Sequence, residues 1–203
     1  MAKRIYDKTR KTKETNITVK LNIDGSGEAK INSRIGFLDH MLELFTFWGK
    51  FDLEVTTQEA DLKVDIHHTN EDLGIVLGQA FKEALGDRAG INRIGDASVP
   101  MENVTASVTL DLSGRGSFKW AWEVMNVIDP DKKEGYQSKS AEHFFDAFAK
   151  QLGMNLNIKI ENPSPDLHTT LEPVFKALGK ALCEAVQIDP RRKGVPSTKG
   201  VID

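Results

Sequence analysis

A histidine followed four residues later by a glutamate occurs twice in this chain of 203 residues. Residues 67–71 read His-His-Thr-Asn-Glu, and residues 168–172 read His-Thr-Thr-Leu-Glu, 101 positions later. Side chains three and four positions apart share one face of a helix, so each segment can direct imidazole and carboxylate to one point. That donor set binds transition metals, and without a thiolate it suits manganese, iron, nickel or zinc.

A second repeated feature is an acid directly before a histidine, inside an amphipathic helical pattern. It occurs as Asp39-His40 and as Glu142-His143. A lone histidine on an apolar helix face is more often a core residue than a ligand. Here every histidine of the chain falls in one of the four repeated segments, and this concentration favours metal binding. The five candidate histidines are His40, His67, His68, His143 and His168.

The strands and helices that must position these residues can be predicted from hydrophobic periodicity. Alternation over 16–23 predicts a strand, the Asp-Gly-Ser-Gly turn at 24–27 predicts a hairpin, and 28–35 is the returning segment. Two more strands are predicted over 51–55 and 61–65. One helix carries His40 and ends at Gly49, and another runs from His67 to about Leu85.

The second half repeats this order. Strands are predicted over 106–112, 117–122 and 155–160, and a polar, turn-rich stretch covers 129–136. Helices carry His143 and His168, and the tail from Asp189 is a loop. We therefore expect an internally duplicated α/β protein with a first repeat over 1–89, a second over 90–188 and a tail over 189–203.

Composition limits the possible partners. A formal net charge of −3 argues against a general nucleic-acid or membrane-surface binder. The single cysteine, Cys183, allows no internal disulfide. The basic N-terminus is not followed by an apolar run, so we expect neither a signal peptide nor a membrane span, and we expect a cytoplasmic protein.

Four basic residues lie in turns or near the expected metal: Arg93, Arg115, Lys176 and Lys199. Together with hydroxyls and backbone amides, such groups bind a phosphate monoester. Any one of them alone is more often a solvated surface charge. The basic run Arg191-Arg192-Lys193 is typical of a solvated surface. The segment Pro196-Ser197-Thr198-Lys199-Gly200 has the composition of a shaped turn, so it is the stronger candidate for binding phosphate.

These motifs closely resemble the imidazoleglycerol-phosphate dehydratase family of histidine biosynthesis, over essentially the whole chain. The matching segments are Gly36-Phe37-Leu38-Asp39-His40-Met41-Leu42, His67-His68-Thr69-Asn70-Glu71-Asp72, Val99-Pro100-Met101, Asp111-Leu112-Ser113-Gly114-Arg115, Glu142-His143-Phe144-Phe145, Phe175-Lys176-Ala177 and Pro196-Ser197-Thr198-Lys199-Gly200.

The resemblance implies a duplicated α/β (α+β) fold in which each half has a four-stranded sheet and two helices. It also implies a homo-oligomer of 24 subunits with two manganese ions per subunit at the interfaces. The implied metal ligands are His40, His67, His68, Glu71, His143, His168 and Glu172. The position of the sixth family histidine holds Thr169.

The resemblance further implies removal of water from imidazole glycerol phosphate to give imidazole acetol phosphate. The implied phosphate contacts are Arg93, Arg115, Lys176, Ser197 and Lys199, and Glu14 contacts the substrate. Glu14, Glu71 and Glu172 are the candidate catalytic carboxylates, with Glu14 or Glu172 as the base.

Thr169 leaves other hypotheses open. A hydroxyl is a poor substitute for imidazole, so a diverged paralogue could keep fold and assembly while losing or changing the reaction. A metal-dependent hydrolase using a metal-bound water is chemically possible, but no motif in the sequence points to it.

Overall fold

The computed structural model describes residues 3–63, 65–122 and 135–202. Its first half contains four strands and two helices. In chain order these are Ile5–Lys11 (β1), Asn16–Asn22 (β2), Ala29–Asn32 (β3), Gly36–Gly49 (α1), Asp52–Glu59 (β4) and His67–Leu85 (α2).

The second half repeats this order of elements. They are Ile94–Met101 (β5), Val104–Asp111 (β6), Ser117–Trp122 (β7), Ser138–Leu152 (α3), Asn155–Glu161 (β8) and Leu167–Val186 (α4). The two four-stranded sheets have corresponding strand orders, β1-β2-β4-β3 and β5-β6-β8-β7. The expected duplicated α/β fold, with four strands and two helices per half, is confirmed.

Each sheet contains one parallel pair, and that pair positions a histidine helix. β3 runs parallel to β4 with α1 between them in sequence, and β7 runs parallel to β8 with α3 between them. Parallel neighbours need a crossover connection, and here the crossover is a helix. His40 and His143 therefore occupy equivalent places in the two halves.

The predicted hairpin after β2 is wrong. β3 does not pair with β2, because β4 lies between them and pairs with both. The turn at 24–28 is held by β4 instead: Asp52 Oδ1 accepts hydrogen bonds from the backbone N–H groups of Ser26 (2.7 Å) and Glu28 (3.3 Å).

The strand predicted over 61–65 is also wrong for its described residues, which lie in a loop before α2. Asp61 bonds the first turn of that helix rather than a neighbouring strand. Val64 lies outside the described residues, as do residues 129–134 of the predicted turn-rich stretch.

Periodicity failed to reveal β1 and β5. Both are edge strands of their sheets, and every second residue of each is exposed. β1 is rich in charged residues and β5 contains Pro100, which removes a backbone donor and is tolerated at an edge. Neither sequence has the strong apolar alternation of β2.

The helices of one half pack against helices of the other. α1 contacts α4, and α2 contacts α3. Glycines allow the close approach: a Cβ at Gly179 of α4 would lie 2.4 Å from the carbonyl oxygen of Phe45 on α1, and a Cβ at Gly78 of α2 would lie 2.7 Å from that of Phe148 on α3. This packing holds the two halves together.

We expect Gly179→Ala to lower the free energy of unfolding by about 1–3 kcal/mol, the usual range for an overpacked contact. Alanine favours a helix by roughly 1 kcal/mol over glycine, so a destabilising result isolates the clash with α1. Urea unfolding of the metal-free protein measures it, with Lys82→Ala on the exposed face of α2 as the control. An equally or more stable Gly179→Ala variant would contradict the close contact.

Candidate metal and phosphate site

Three predicted ligands meet where α1 and α4 begin; we call His40, His168 and Glu172 the His40 cluster. The Nε2 atoms of His40 and His168 are 3.2 Å apart, and Glu172 Oε2 lies 3.5 Å from the first and 3.1 Å from the second. The two rings stack with 5.2 Å between their centroids. One ligand atom from each residue can be chosen so that all three lie within 4.8 Å of one another.

Lys176 belongs to the same place. One helical turn after Glu172, its Nζ lies 2.5 Å from Glu172 Oε1. The Glu172 side chain is only 12% exposed. Burial alone would raise the pKa of Glu172, but the hydrogen bond and charge of Lys176, with smaller effects of His40 and His168, hold that pKa below its usual range. Glu172 is therefore an anion near neutral pH.

A second cluster forms where α2 and α3 begin; we call His67, Glu71 and His143 the His143 cluster. The Nδ1 atoms of His67 and His143 are 2.8 Å apart, and His67 Nε2 lies 3.6 Å from Glu71 Oε2. Glu71 is 47% exposed, far more than Glu172. The contacts are pairwise, because His67 faces its two partners with different ring nitrogens.

Each cluster combines residues from both halves of the chain. One half contributes a histidine at the start of its crossover helix, and the other contributes the histidine and glutamate of its last helix. The duplication therefore yields two equivalent clusters through the α1–α4 and α2–α3 contacts. Ligand atoms about 2.1 Å from a first-row metal lie roughly 3.0–3.5 Å from one another, and the distances within the His40 cluster fall in this range.

His68 joins neither cluster. Its Nδ1 lies 3.0 Å from Asp61 Oδ2 and 3.7 Å from Glu14 Oε2, and these three residues form a separate acidic group on the surface. The hydrogen bond with Asp61, and next the charge of Glu14, raise the pKa of the His68 imidazole. Glu14 thus lies beside His68, whereas Glu172 lies in the His40 cluster.

Thr169, the counterpart of His68, points into its own helix start. Asp166 is the N-cap of α4, and its Oδ2 accepts both from the Thr169 backbone N–H (3.1 Å) and from the Thr169 hydroxyl (2.8 Å). The residue is 8% exposed. In this geometry Thr169 holds the N-cap Asp166 in place, and its hydroxyl hydrogen is donated to that carboxylate.

Four of the five predicted phosphate contacts line one cleft of about 180 Å³: Arg93, Arg115, Ser197 and Lys199. Arg93 bonds Asp111 through both Nε (2.6 Å) and Nη2 (3.0 Å), and it donates to the carbonyl of Pro196 (3.0 Å). It therefore ties the 196–200 turn to β6. The fifth residue, Lys176, does not line this cleft and lies against Glu172 instead.

Sequence patterns missed the groups that hold Glu14 and His68 in place. Asp72, on α2, is bonded by Arg10 (2.6 Å) and by the Thr15 hydroxyl, so it fixes the β1–β2 turn that carries Glu14. Asp72 stands in the His-His-Thr-Asn-Glu-Asp segment, four residues after His68, and could have been noticed there. The sequence did not indicate the role of Asp61, because its contact with His68 depends on how the loop before α2 folds against that helix.

Comparison with known protein families gives a match over most of the chain. The family model described as imidazoleglycerol-phosphate dehydratase matches residues 33–182, about three quarters of the chain. The chain belongs to this family. Residues 33–182 include every residue of the His40 and His143 clusters.

Curated relatives carry the same name. An imidazoleglycerol-phosphate dehydratase of Pelobacter propionicus is 48% identical over 194 residues, covering 95% of this chain and 96% of the relative. One from Geobacter metallireducens is 47% identical over 192 residues, covering 94% and 95%. The match is therefore nearly end to end on both sides.

Solved structures agree in fold. The Staphylococcus aureus enzyme matches with a TM-score of 0.77 at 30% identity, over 91% of this chain and 99% of that one. The Pyrococcus furiosus enzyme, in complex with (S)-C348, matches with a TM-score of 0.77 at 32% identity, over 96% and 99%. Among the described helices of our chain, none is long and apolar enough to cross a membrane.

Proposed function

We propose that this chain is a manganese-dependent dehydratase that converts imidazole glycerol phosphate to imidazole acetol phosphate in histidine biosynthesis. The observation that carries the proposal is the His40 cluster, in which two imidazoles and an anionic carboxylate from both halves converge. Family membership supplies the substrate and the reaction.

His40, His168 and Glu172 would hold one metal ion, and His67, His143 and Glu71 the other. When bound, manganese supplies Lewis-acid chemistry to the substrate's imidazole. Neutral imidazoles and carboxylates are suitable donors for manganese. The two glutamates each contribute a negative charge that offsets part of the charge of a divalent ion.

The chain's own side chains bind the phosphate group and remove the proton. Arg93, Arg115, Ser197 and Lys199 bind the phosphate group, and Arg93 also keeps the 196–200 turn in place. The reaction needs a base for a C–H proton with no adjacent carbonyl. Glu172 is the candidate in the His40 cluster and Glu14 the candidate beside His68, each an acceptor near proposed metal ligands.

We further propose that the chain assembles into the 24-subunit particle that the resemblance implies, and that the repeat boundaries are 1–89 and 90–188 with a phosphate-binding tail over 189–203. Exposed apolar side chains such as Phe47 (64% exposed) and Ile94 (63%) are consistent with burial against further copies.

The direct test is turnover of imidazole glycerol phosphate by the full chain with added Mn²⁺, followed by detection of the acetol phosphate. We expect turnover on the order of 1 s⁻¹ or faster, as for ordinary enzymes, and its loss after chelation. An assembled, manganese-loaded protein that shows no turnover would refute the proposal.

A diverged paralogue is the second candidate, and one observation favours it. Thr169 replaces a histidine that the family uses, and its hydroxyl is donated to Asp166. Such a protein would keep the fold and bind a phosphate ligand without dehydrating it. Manganese-loaded protein that binds the substrate and leaves it intact would establish this alternative.

Lys199→Ala tests the phosphate cleft. A hydrogen bond from a charged group contributes roughly 1.5–3 kcal/mol, so we expect KM for imidazole glycerol phosphate to rise about tenfold or more, with a smaller change in kcat. Lys193→Ala is the matched control, an exposed lysine of the same tail that does not line the cleft. Equal KM values for both variants would show that Lys199 does not bind the phosphate group of the substrate.

A further inference from the structure

His68 shares no hydrogen bond or ion pair with either metal cluster, although its ring contacts the ring of His67 edge-on, with 5.6 Å between the centroids. It stands on the first turn of α2, its side chain is 52% exposed, and its Nδ1 faces Asp61 Oδ2 at 3.0 Å. Its Nε2 has no hydrogen-bond partner among residues 3–63, 65–122 and 135–202. Asp61 thus engages Nδ1 of His68 and leaves Nε2 available for another partner.

Asp61 is itself held in place. The hydroxyl of Thr69, a residue with no exposed surface, donates to the Asp61 carbonyl at 3.2 Å. The 60–63 loop is thereby folded against the start of α2. This anchor fixes the position of the Asp61 carboxylate relative to the His68 ring.

A carboxylate cannot donate a hydrogen bond when ionised, so in a contact with Asp61 the His68 Nδ1 carries the proton. The lone pair of the neutral ring is then on Nε2. Carboxylates that bind one ring nitrogen in this way set the tautomer and orientation of histidines whose other nitrogen binds metal.

The second repeat lacks this arrangement. At the equivalent position the Thr169 hydroxyl is turned back to Asp166 and is buried. Both positions are tied to an aspartate, but only His68 keeps a second atom, Nε2, that can bind a metal. Position 169 therefore offers no counterpart to this imidazole nitrogen.

We propose that Asp61 is a positioning residue, which locks His68 as the Nδ1–H tautomer and leaves Nε2 available as a ligand for a divalent metal. The inference deepens the proposed function and rests on it for the metal. Asp61 acts through His68 and does not itself coordinate the ion. Glu14, at 3.7 Å from the same nitrogen, is too far to replace it.

The test is a Mn²⁺ titration of the full chain, in which electron paramagnetic resonance quantifies free Mn²⁺. We expect Asp61→Ala to weaken binding at one site about 10–100-fold, the usual effect of removing such a partner. Asp61→Asn keeps an oxygen that can accept from Nδ1, and we expect it to restore most of the affinity. Glu59→Gln, which removes an exposed carboxylate at the end of β4 that has no role in the site, should leave Mn²⁺ affinity unchanged.

The double variant decides how Asp61 acts. If Asp61 works through His68, Asp61→Ala combined with His68→Ala binds Mn²⁺ as weakly as His68→Ala alone. A weaker double variant would mean that Asp61 is itself a ligand, and would overturn the proposal. Wild-type affinity in Asp61→Ala, or no rescue by Asp61→Asn, would overturn it as well.

The readout separates this inference from the proposed function. Metal affinity is measured without substrate, so an inactive chain whose Mn²⁺ affinity falls in Asp61→Ala would refute the dehydratase and keep the positioning role. Thermal unfolding of metal-free Asp61→Ala and Asp61→Asn shows whether a lost affinity merely reflects a destabilised fold. Equal losses of stability and affinity in both variants would count against positioning.

Discussion

Turnover falls by about 100-fold or more when Glu172 is replaced by glutamine, if the His40 cluster is the reaction centre. Glutamine keeps the size of the side chain but removes the charge that faces His40, His168 and Lys176. A metal ligand and a candidate base are lost together. Steady-state rates with saturating Mn²⁺ measure the effect.

The control for this prediction is Glu43→Gln. Glu43 is exposed on α1, three residues after His40, so the substitution removes the same charge from a neighbouring helix without touching the cluster. We expect rates within a factor of about two of the unaltered chain, since exposed charges contribute little. Comparable losses in both variants would show that general electrostatics, rather than the cluster, sets the rate.

The sequence predicted which candidate metal ligands share one face of a helix, but it did not predict which ligands of the other half they would meet. His168 and Glu172 are four residues apart, and the 3.6-residue period of a helix suffices to place them together. That His40 would join them depends on α4 lying against α1, across 128 residues. Such pairing between halves follows from tertiary packing, and the glycines that allow it, Gly78 and Gly179, do not reveal from sequence which helix they will contact.

The errors in strand prediction have similar causes. β2 has Ile17, Val19 and Leu21 on its buried face, so alternation identified it. β5 lies at an edge, where half of its residues face solvent and Pro100 is tolerated, so alternation was weak. Residues 61–65 alternate in polarity, but the side-chain and backbone oxygens of Asp61 bind α2 instead of a strand.

The second large effect concerns metal content. We expect Thr169→His to raise the manganese bound per chain by one, or to tighten the weaker site at least about tenfold. The substitution places imidazole at the position that holds His68 in the first repeat, and it releases Asp166 from the threonine hydroxyl. Metal analysis after equilibrium dialysis at several Mn²⁺ concentrations measures the manganese bound per chain and the affinity of the weaker site.

Thr169→Val is the matched control, because valine removes the same hydroxyl and adds no ligand atom. We expect it to cost about 0.5–1.5 kcal/mol of stability for the lost hydrogen bond and to leave the bound manganese unchanged. Equal metal content in Thr169→His, Thr169→Val and the unaltered chain would show that this position does not reach a metal.

Turnover of Thr169→His then separates the two candidate functions. If the unaltered chain is a dehydratase with one weak site, the added imidazole raises the rate mainly at low Mn²⁺, where that site is unfilled. At saturating Mn²⁺ the two proteins should converge, because mass action fills the weak site without the extra ligand. Turnover that appears only in Thr169→His, at every Mn²⁺ concentration, would instead identify the unaltered chain as the diverged paralogue. In that protein Thr169 bonds the helix cap Asp166 and supplies no imidazole to a metal.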